Sequence, residues 1–175
     1  QTVDEDTALA ITDLSVNDVD GDLATTQLTV TKGTLTVSLA AGATISAGTN
    51  STSTLTLSGT QTQINAALAT VSYQGNPNFN GSDTLTMLST DSDGTPLTDT
   101  DTVEITVTAV ADAPVNTVPG AQTVAEDTAL AITGLSVNDV DGNLATTQLT
   151  VTKGTLTVSL AGGATINAGT NASST

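Results

Sequence analysis

Residues 23–39 read LATTQLTVTKGTLTVSL, and this stretch decides the fold. Thr alternates with Leu or Val on both sides of Lys32-Gly33. Period-two alternation is the mark of a half-buried β-strand. Leu28, Val30, Leu35 and Val37 are expected to face inward. Lys32-Gly33 between two such runs reads as a two-residue hairpin turn, with the glycine supplying a positive φ.

Outward from that pair, residues 7–11 and 14–16 read as a broken first strand. Residues 54–58 form a short strand with Leu55 and Leu57 inside. Residues 60–68 change period: Ile64, Ala67, Leu68 and Val71 follow helical spacing, and Thr60 with Gln63 makes a capping-box pair. One short helix is therefore expected there. Tyr73 and Phe79 bracket an Asn/Pro/Gly-rich loop and are expected to pin it to the core. Residues 83–89 and 102–108 are the last strands, with Val103, Ile105 and Val107 facing in. About seven strands punctuated by turn residues argue an all-β, antiparallel, immunoglobulin-like sandwich.

The same stretch returns later. QTVDEDTALAIT at residues 1–12 recurs as QTVAEDTALAIT at 122–133, and the similarity runs on to Thr175. Fixed-period similarity marks a tandem array. The organisation expected is a complete repeat over 1–112, a linker over 113–121 holding Pro114 and Pro119, and the N-terminal half of a second repeat over 122–175. The second copy covers only part of the unit, so the chain is expected to be cut from a longer one.

Composition narrows the chemistry. The 175 residues carry 18 Asp+Glu against two Lys+Arg, a net charge of −16, with no His and no Cys. Two lysines cannot neutralise a phosphate backbone, so nucleic acid is not an expected partner. Zinc and iron–sulfur sites lack their nitrogen and sulfur ligands. Nucleophilic triads have no base. The apolar runs are too short to insert into a membrane. Paired carboxylates can hydrolyse glycosides, but these sit in turns beside small polar residues, and no enzyme activity is expected. Thr-x-Thr ladders such as Thr29-Val30-Thr31 could order ice, yet outward Thr is ordinary strand chemistry.

The acids are clustered: Asp4-Glu5-Asp6, Asp18-Val19-Asp20-Gly21, Asp91-Ser92-Asp93-Gly94, Asp112, and again Asp139-Val140-Asp141-Gly142. Carboxylates held together repel, and Ca²⁺ relieves this through six to eight oxygens. The EF-hand pattern is incomplete, since no Glu follows at the twelfth position. Asp-Gly also makes turns with no metal at all.

The order of these pieces resembles the cadherin-like tandem repeats of giant secreted bacterial adhesins. It runs Val3-x-Glu5-Asp6-Thr7, Asn17-Asp18-x-Asp20-Gly21, Gln63-Ile64-Asn65-Ala66-Ala67-Leu68, Phe79-Asn80-Gly81-Ser82-Asp83, Asp91-Ser92-Asp93-Gly94 and Asp112-Ala113-Pro114. The resemblance implies Ca²⁺ between domains. Glu5, Asp112, Asp139 and Asp141 would meet at one junction, while Asp18, Asp20, Asp91 and Asp93 would face the preceding repeat. It further implies a calcium-stiffened spacer in a bacterial stalk or filament of a biofilm, secreted or on the cell surface. Its partners would be neighbouring repeats of the same chain, or like chains in a fibre. A glycan-binding or homophilic adhesion module, or a fibre subunit completed by strand exchange, is the alternative.

Overall fold

The structure is a computed structural model and describes residues 1–92 and 94–172. It divides into two units, Gln1–Val110 and Ala111–Thr175. The first is mostly β-sheet with a single helix. Its elements in order are β1 (Thr2–Asp4), β2 (Ala8–Ala10), β3 (Leu23–Thr29), β4 (Gly33–Thr36), β5 (Thr44–Gly48), β6 (Thr54–Ser58), α1 (Gln61–Leu68), β7 (Ser72–Gly75), β8 (Gly81–Asp91) and β9 (Thr98–Thr108). A six-stranded sheet has the order β1-β9-β8-β3-β6-β5, and a three-stranded sheet the order β2-β7-β4. All pairings are antiparallel except β1 on β9, which is parallel with Thr2 opposite Thr106.

The apolar rows face each other as the alternation requires. Leu28, Leu35, Leu55, Leu57 and Ile105 are fully buried, and Val30 and Val37 nearly so. Tyr73 is also fully buried in β7, and Phe79 packs partly against the same core. Helix α1 begins where the capping box places it. Thr60 Oγ1 accepts from Gln63 N, and Gln63 Oε1 accepts from Thr60 N. Ile64, Ala67 and Leu68 form its buried face.

The Lys32-Gly33 hairpin does not exist. β3 lies between β6 and β8, whereas β4 pairs with β7 in the other sheet. The chain therefore crosses between sheets at residues 30–32. Asp83 explains the crossing: its carboxylate, 3% exposed, accepts from Thr31 N, Thr31 Oγ1 and Lys32 N. Gly33 is needed for closeness, not for a positive φ. A Cβ there would lie 2.4 Å from the Gln74 carbonyl oxygen and 2.4 Å from the Tyr73 ring. Residues 14–16 are not a strand either; Asn65 of α1 clasps Val16 through both its N–H and its C=O.

The second unit holds one two-stranded antiparallel sheet, β10 (Val115–Thr117) with β11 (Ser136–Asn138), and a 3-10 turn at Ala161–Gly163. Residues 144–150 repeat the sequence of β3 and carry no strand. The repetition is thus one of sequence, and the folded form of the first copy does not recur in the second.

Candidate acidic cleft

Helix α1 positions the loop on which the first acids sit. Gln61 and Asn65 lie one turn apart on its polar side. Gln61 Oε1 accepts from Asp18 N at 3.0 Å, while Asn65 holds Val16 at 2.8 Å through both amide atoms. Beyond this anchor Asp18 Oδ1 accepts from Asp20 N and Gly21 N, both at 3.1 Å. That is an Asx turn, and Gly21 completes it with a φ of 80°.

Across from the turn stand the end of β8 and the start of β9. Asp91 N donates to the Leu97 carbonyl, and Asp91 Oδ1 accepts from Leu97 N at 2.9 Å, closing the connection between the two strands. Ser92 ties this connection back to the acidic loop, since its N–H and its hydroxyl both donate to the Asp22 carbonyl. The cleft between them has a volume of about 320 Å³ and is lined by Asp18, Asp20, Asp91, Asp99 and Asp101, together with Leu23 and Met87. Asp18 Oδ2 is shielded from solvent and has no hydrogen-bond partner. Among the described residues, no three acidic side chains stand close enough together to form a ready-made metal cage.

The structure thus gathers Asp18, Asp20 and Asp91 around one cleft; Asp93 lies outside the described residues. Asp99 and Asp101 join them because β9 begins at Thr98, earlier than residue 102. In the second unit Asp141 Oδ2 accepts from Asp112 N at 2.7 Å, and Asp139 Oδ1 accepts from Asp141 N at 3.1 Å. These three are therefore linked through one turn. Glu5 belongs to the first unit and does a different task. It is 4% exposed, and its Oε1 accepts from Val110 N, fastening the chain that leaves β9.

Asp83 was missed as a key residue, although the sequence carries its signal. It stands in phase with Leu85 and Met87, an acid in an inward row. Besides Thr31 and Lys32, it accepts from Thr84 N and from the Tyr73 hydroxyl. Burial pushes its carboxyl upward, but the hydrogen bonds from Lys32, Thr31 and Thr84 outweigh this and hold it below the usual carboxylate range. Burial pushes the Tyr73 hydroxyl strongly upward, and the Asp83 charge adds to the effect. With every donor satisfied, this pair is a structural hub.

Neither a curated protein nor a solved structure matches the chain. The family model of the Protein GAMETE EXPRESSED 2 domain does match, over residues 12–100. That stretch runs from just after β2 into β9 and includes the crossover, the helix and all the acids of the cleft except Asp101. The match overturns the resemblance to cadherin-like repeats of bacterial adhesins, and with it the stalk-spacer function and the bacterial-surface and biofilm setting. The physical reason lies in the motifs themselves. Asp-x-Asp-Gly here makes an Asx turn, Glu5 caps a strand exit, and Thr60 caps a helix. Such devices are turn grammar open to many β-folds. Matched over more than half its length, the chain belongs to the family of the Protein GAMETE EXPRESSED 2 domain.

Proposed function

We propose that Gln1–Val110 is an immunoglobulin-like β-sandwich module of a secreted or cell-surface gamete-expressed protein, that it works without catalysis, and that it takes Ca²⁺ in its acidic cleft. The sandwich reading rests on the two sheets sharing one apolar core. The extracellular reading goes with the calcium part, since a weak oxygen-only site fills only where calcium is millimolar. The non-catalytic reading rests on the use of the acids, many of which bind backbone amides within turns or at strand ends. On this reading the partners of the module are further copies of the same unit.

The observation that carries the calcium part is Asp18 Oδ2, shielded and unpartnered beside Asp20 and Asp91. Oxygen-only surroundings suit a hard cation, and the turn already fixes Asp18. Binding draws Asp20 and Asp91 inward to complete the coordination. Extracellular sites of this kind have Kd values on the order of 1 mM. About 10 mM Ca²⁺ should then stabilise the chain by roughly 1.4 kcal/mol, a rise in Tm of several degrees. Calorimetric titration of the whole chain, with melting curves in Ca²⁺ and in chelator, tests this. Saturable binding lost in Asp18→Asn is expected. Identical melting in both conditions removes calcium from the proposal and leaves the sandwich intact.

A further inference from the structure

Asn-x-Ser/Thr, with x not proline, is the sequence at which a secretory pathway attaches sugar to asparagine. The chain holds three such sites: Asn50-Ser51-Thr52, Asn80-Gly81-Ser82 and Asn171-Ala172-Ser173. The fold treats their amides differently. Asn50 Oδ1 accepts from Val37 N at 2.9 Å, and Asn50 Nδ2 donates to the Val37 carbonyl at 3.0 Å. Asn171 makes the same clasp on Val158, at 3.0 and 3.2 Å. Asn80 stands exposed just ahead of β8, and its side-chain amide makes no hydrogen bond among the described residues. Gly81 and Ser82 beside it are exposed too.

We propose that Asn80 carries an N-linked glycan, and that the clasps of Asn50 and Asn171 close those two sites in the folded chain. In the transfer, Nδ2 bonds to C1 of the first sugar of a polyprenyl-diphosphate-linked oligosaccharide. The bond from C1 to the diphosphate oxygen breaks, the diphosphate leaves with the electron pair, and one Nδ2 proton passes to a base of the transferase. The product is a secondary amide. Like a peptide bond it is planar and holds its substituent trans to the carbon chain, on the side of the carbonyl oxygen. In the Asn50 clasp that side faces Val37, and the proton lying there is the one donated to the Val37 carbonyl. A sugar on Asn50 therefore displaces this hydrogen bond and meets the backbone. No such contact opposes a sugar on Asn80.

The surroundings of Asn80 leave room for it. Phe79 N donates to the Asn76 carbonyl at 3.0 Å, so backbone closes the turn ahead of β8 and asks nothing of the Asn80 amide. Gly81, with a φ of 125°, places no side chain beside that amide. Ser82 is exposed while Asp83 after it is buried, so the hydroxyl of the site stays on the outer face of β8. The strand then runs from Gly81 to Asp91, and its two ends lie about 34 Å apart. A glycan on Asn80 and an ion beside Asp91 thus occupy opposite ends of β8 and do not compete for space. The inference rests on the secreted or cell-surface part of the proposed function, because only a chain that enters a secretory pathway meets the transferase. It does not depend on calcium.

Secretion of the whole chain from a eukaryotic host, behind an appended leader, tests this. Glycopeptides are read by mass spectrometry with the sugar still attached, which separates a glycan from simple deamidation at Asn80-Gly81. The expected result is a glycan on Asn80 in most secreted chains, at an occupancy at least about fivefold above that of Asn50 or Asn171. It should vanish in Asn80→Gln and in Ser82→Ala, and persist in Ser82→Thr. A bare Asn80, a glycan that survives Ser82→Ala, or equal occupancy of Asn50 overturns the proposal. The Asn80 outcomes apply equally to chain retained inside the host, since transfer precedes export. The leader supplies entry to the pathway, so these results judge the site alone. A glycan on Asn80 in the host but none on the chain from the cells that make it sinks the extracellular reading and leaves the site standing.

Discussion

Residues 1–51 and 122–172 share almost all of their sequence and many of their turns, but not their strands. In the first, Leu23–Thr29 is a central strand; in the second, the corresponding residues form no strand. What survives in the second copy is instructive. Asn171 clasps Val158 as Asn50 clasps Val37, and Asp139 caps Asp141 as Asp18 caps Asp20. Ala172 N reaches the Leu156 carbonyl as Ser51 N reaches that of Leu35. These contacts close within the copy itself, over two to sixteen residues, at modest entropic cost. What does not recur is the strand pairing that β2, β3, β4 and β5 make with β6, β7 and β8. Propensity and alternation are the same in both copies, so a partner sheet is what turns alternation into a strand.

That conclusion can be broken most directly by supplying the partner. A chain with residues 55–110 appended after Thr175 should convert residues 144–150 from unprotected amides into a central strand. Hydrogen exchange there is expected to slow from near the free-chain rate to protection of several kcal/mol. Continued fast exchange would mean that the seven differences between the copies, not the want of a paired sheet, keep the second copy open.

The next largest effect isolates one residue of the partner half. Asp83 fastens Thr31 and Lys32, and the counterparts Thr152 and Lys153 belong to the second unit. Asp83→Ala should destabilise the first unit by about 3 kcal/mol or more, since it strands buried donors. The pH dependence has a definite sign. The folded carboxyl titrates below its unfolded value, so its contribution is complete above the ordinary Asp range and is lost as pH falls through the depressed folded value. Denaturant midpoints should therefore fall in acid for the native chain, and much less for Asp83→Asn. The second unit's local contacts should not respond.

Much of this was legible in residues and some was not, for a physical reason. Alternation gave the inward rows of β3, β4, β6 and β9, and the Thr60–Gln63 pair gave the start of α1. Both are local signals. Where the chain changes sheet is set by Asp83, some fifty residues away from Thr31, and no local pattern around Lys32-Gly33 encodes it. The edge strand β5 is largely exposed, so its alternation is blunted. The acids of the cleft were visible as clusters, yet their grouping with Asp99 and Asp101 follows from the length of β9. The family was hidden because turn and cap motifs recur across β-folds and do not identify one.

Gly33 and Gly154 sharpen the same comparison at one identical position. Gly33 is closed in by the Gln74 backbone and the Tyr73 ring, whereas nothing lies within 4 Å of a Cβ on Gly154, whose φ is 102°. Gly33→Ala should cost about 1–3 kcal/mol by overpacking against backbone that cannot yield. Gly154→Ala carries only local φ strain, and the melting of the first unit should not move.

The smallest expected effect runs in the opposite direction. Asp13 holds a φ of 67°, and its counterpart Gly134 holds 80°. An L side chain is strained in this left-handed region, and glycine is not. Asp13→Gly should therefore stabilise the first unit, by roughly 0.5 kcal/mol after the added freedom of the unfolded chain is subtracted. The reverse change, Gly134→Asp, should leave the melting of the first unit unmoved. A loss on Asp13→Gly would show that the Asp13 side chain contributes to the first unit beyond its φ. Either result separates what the local turn contributes from what residues 55–110 contribute.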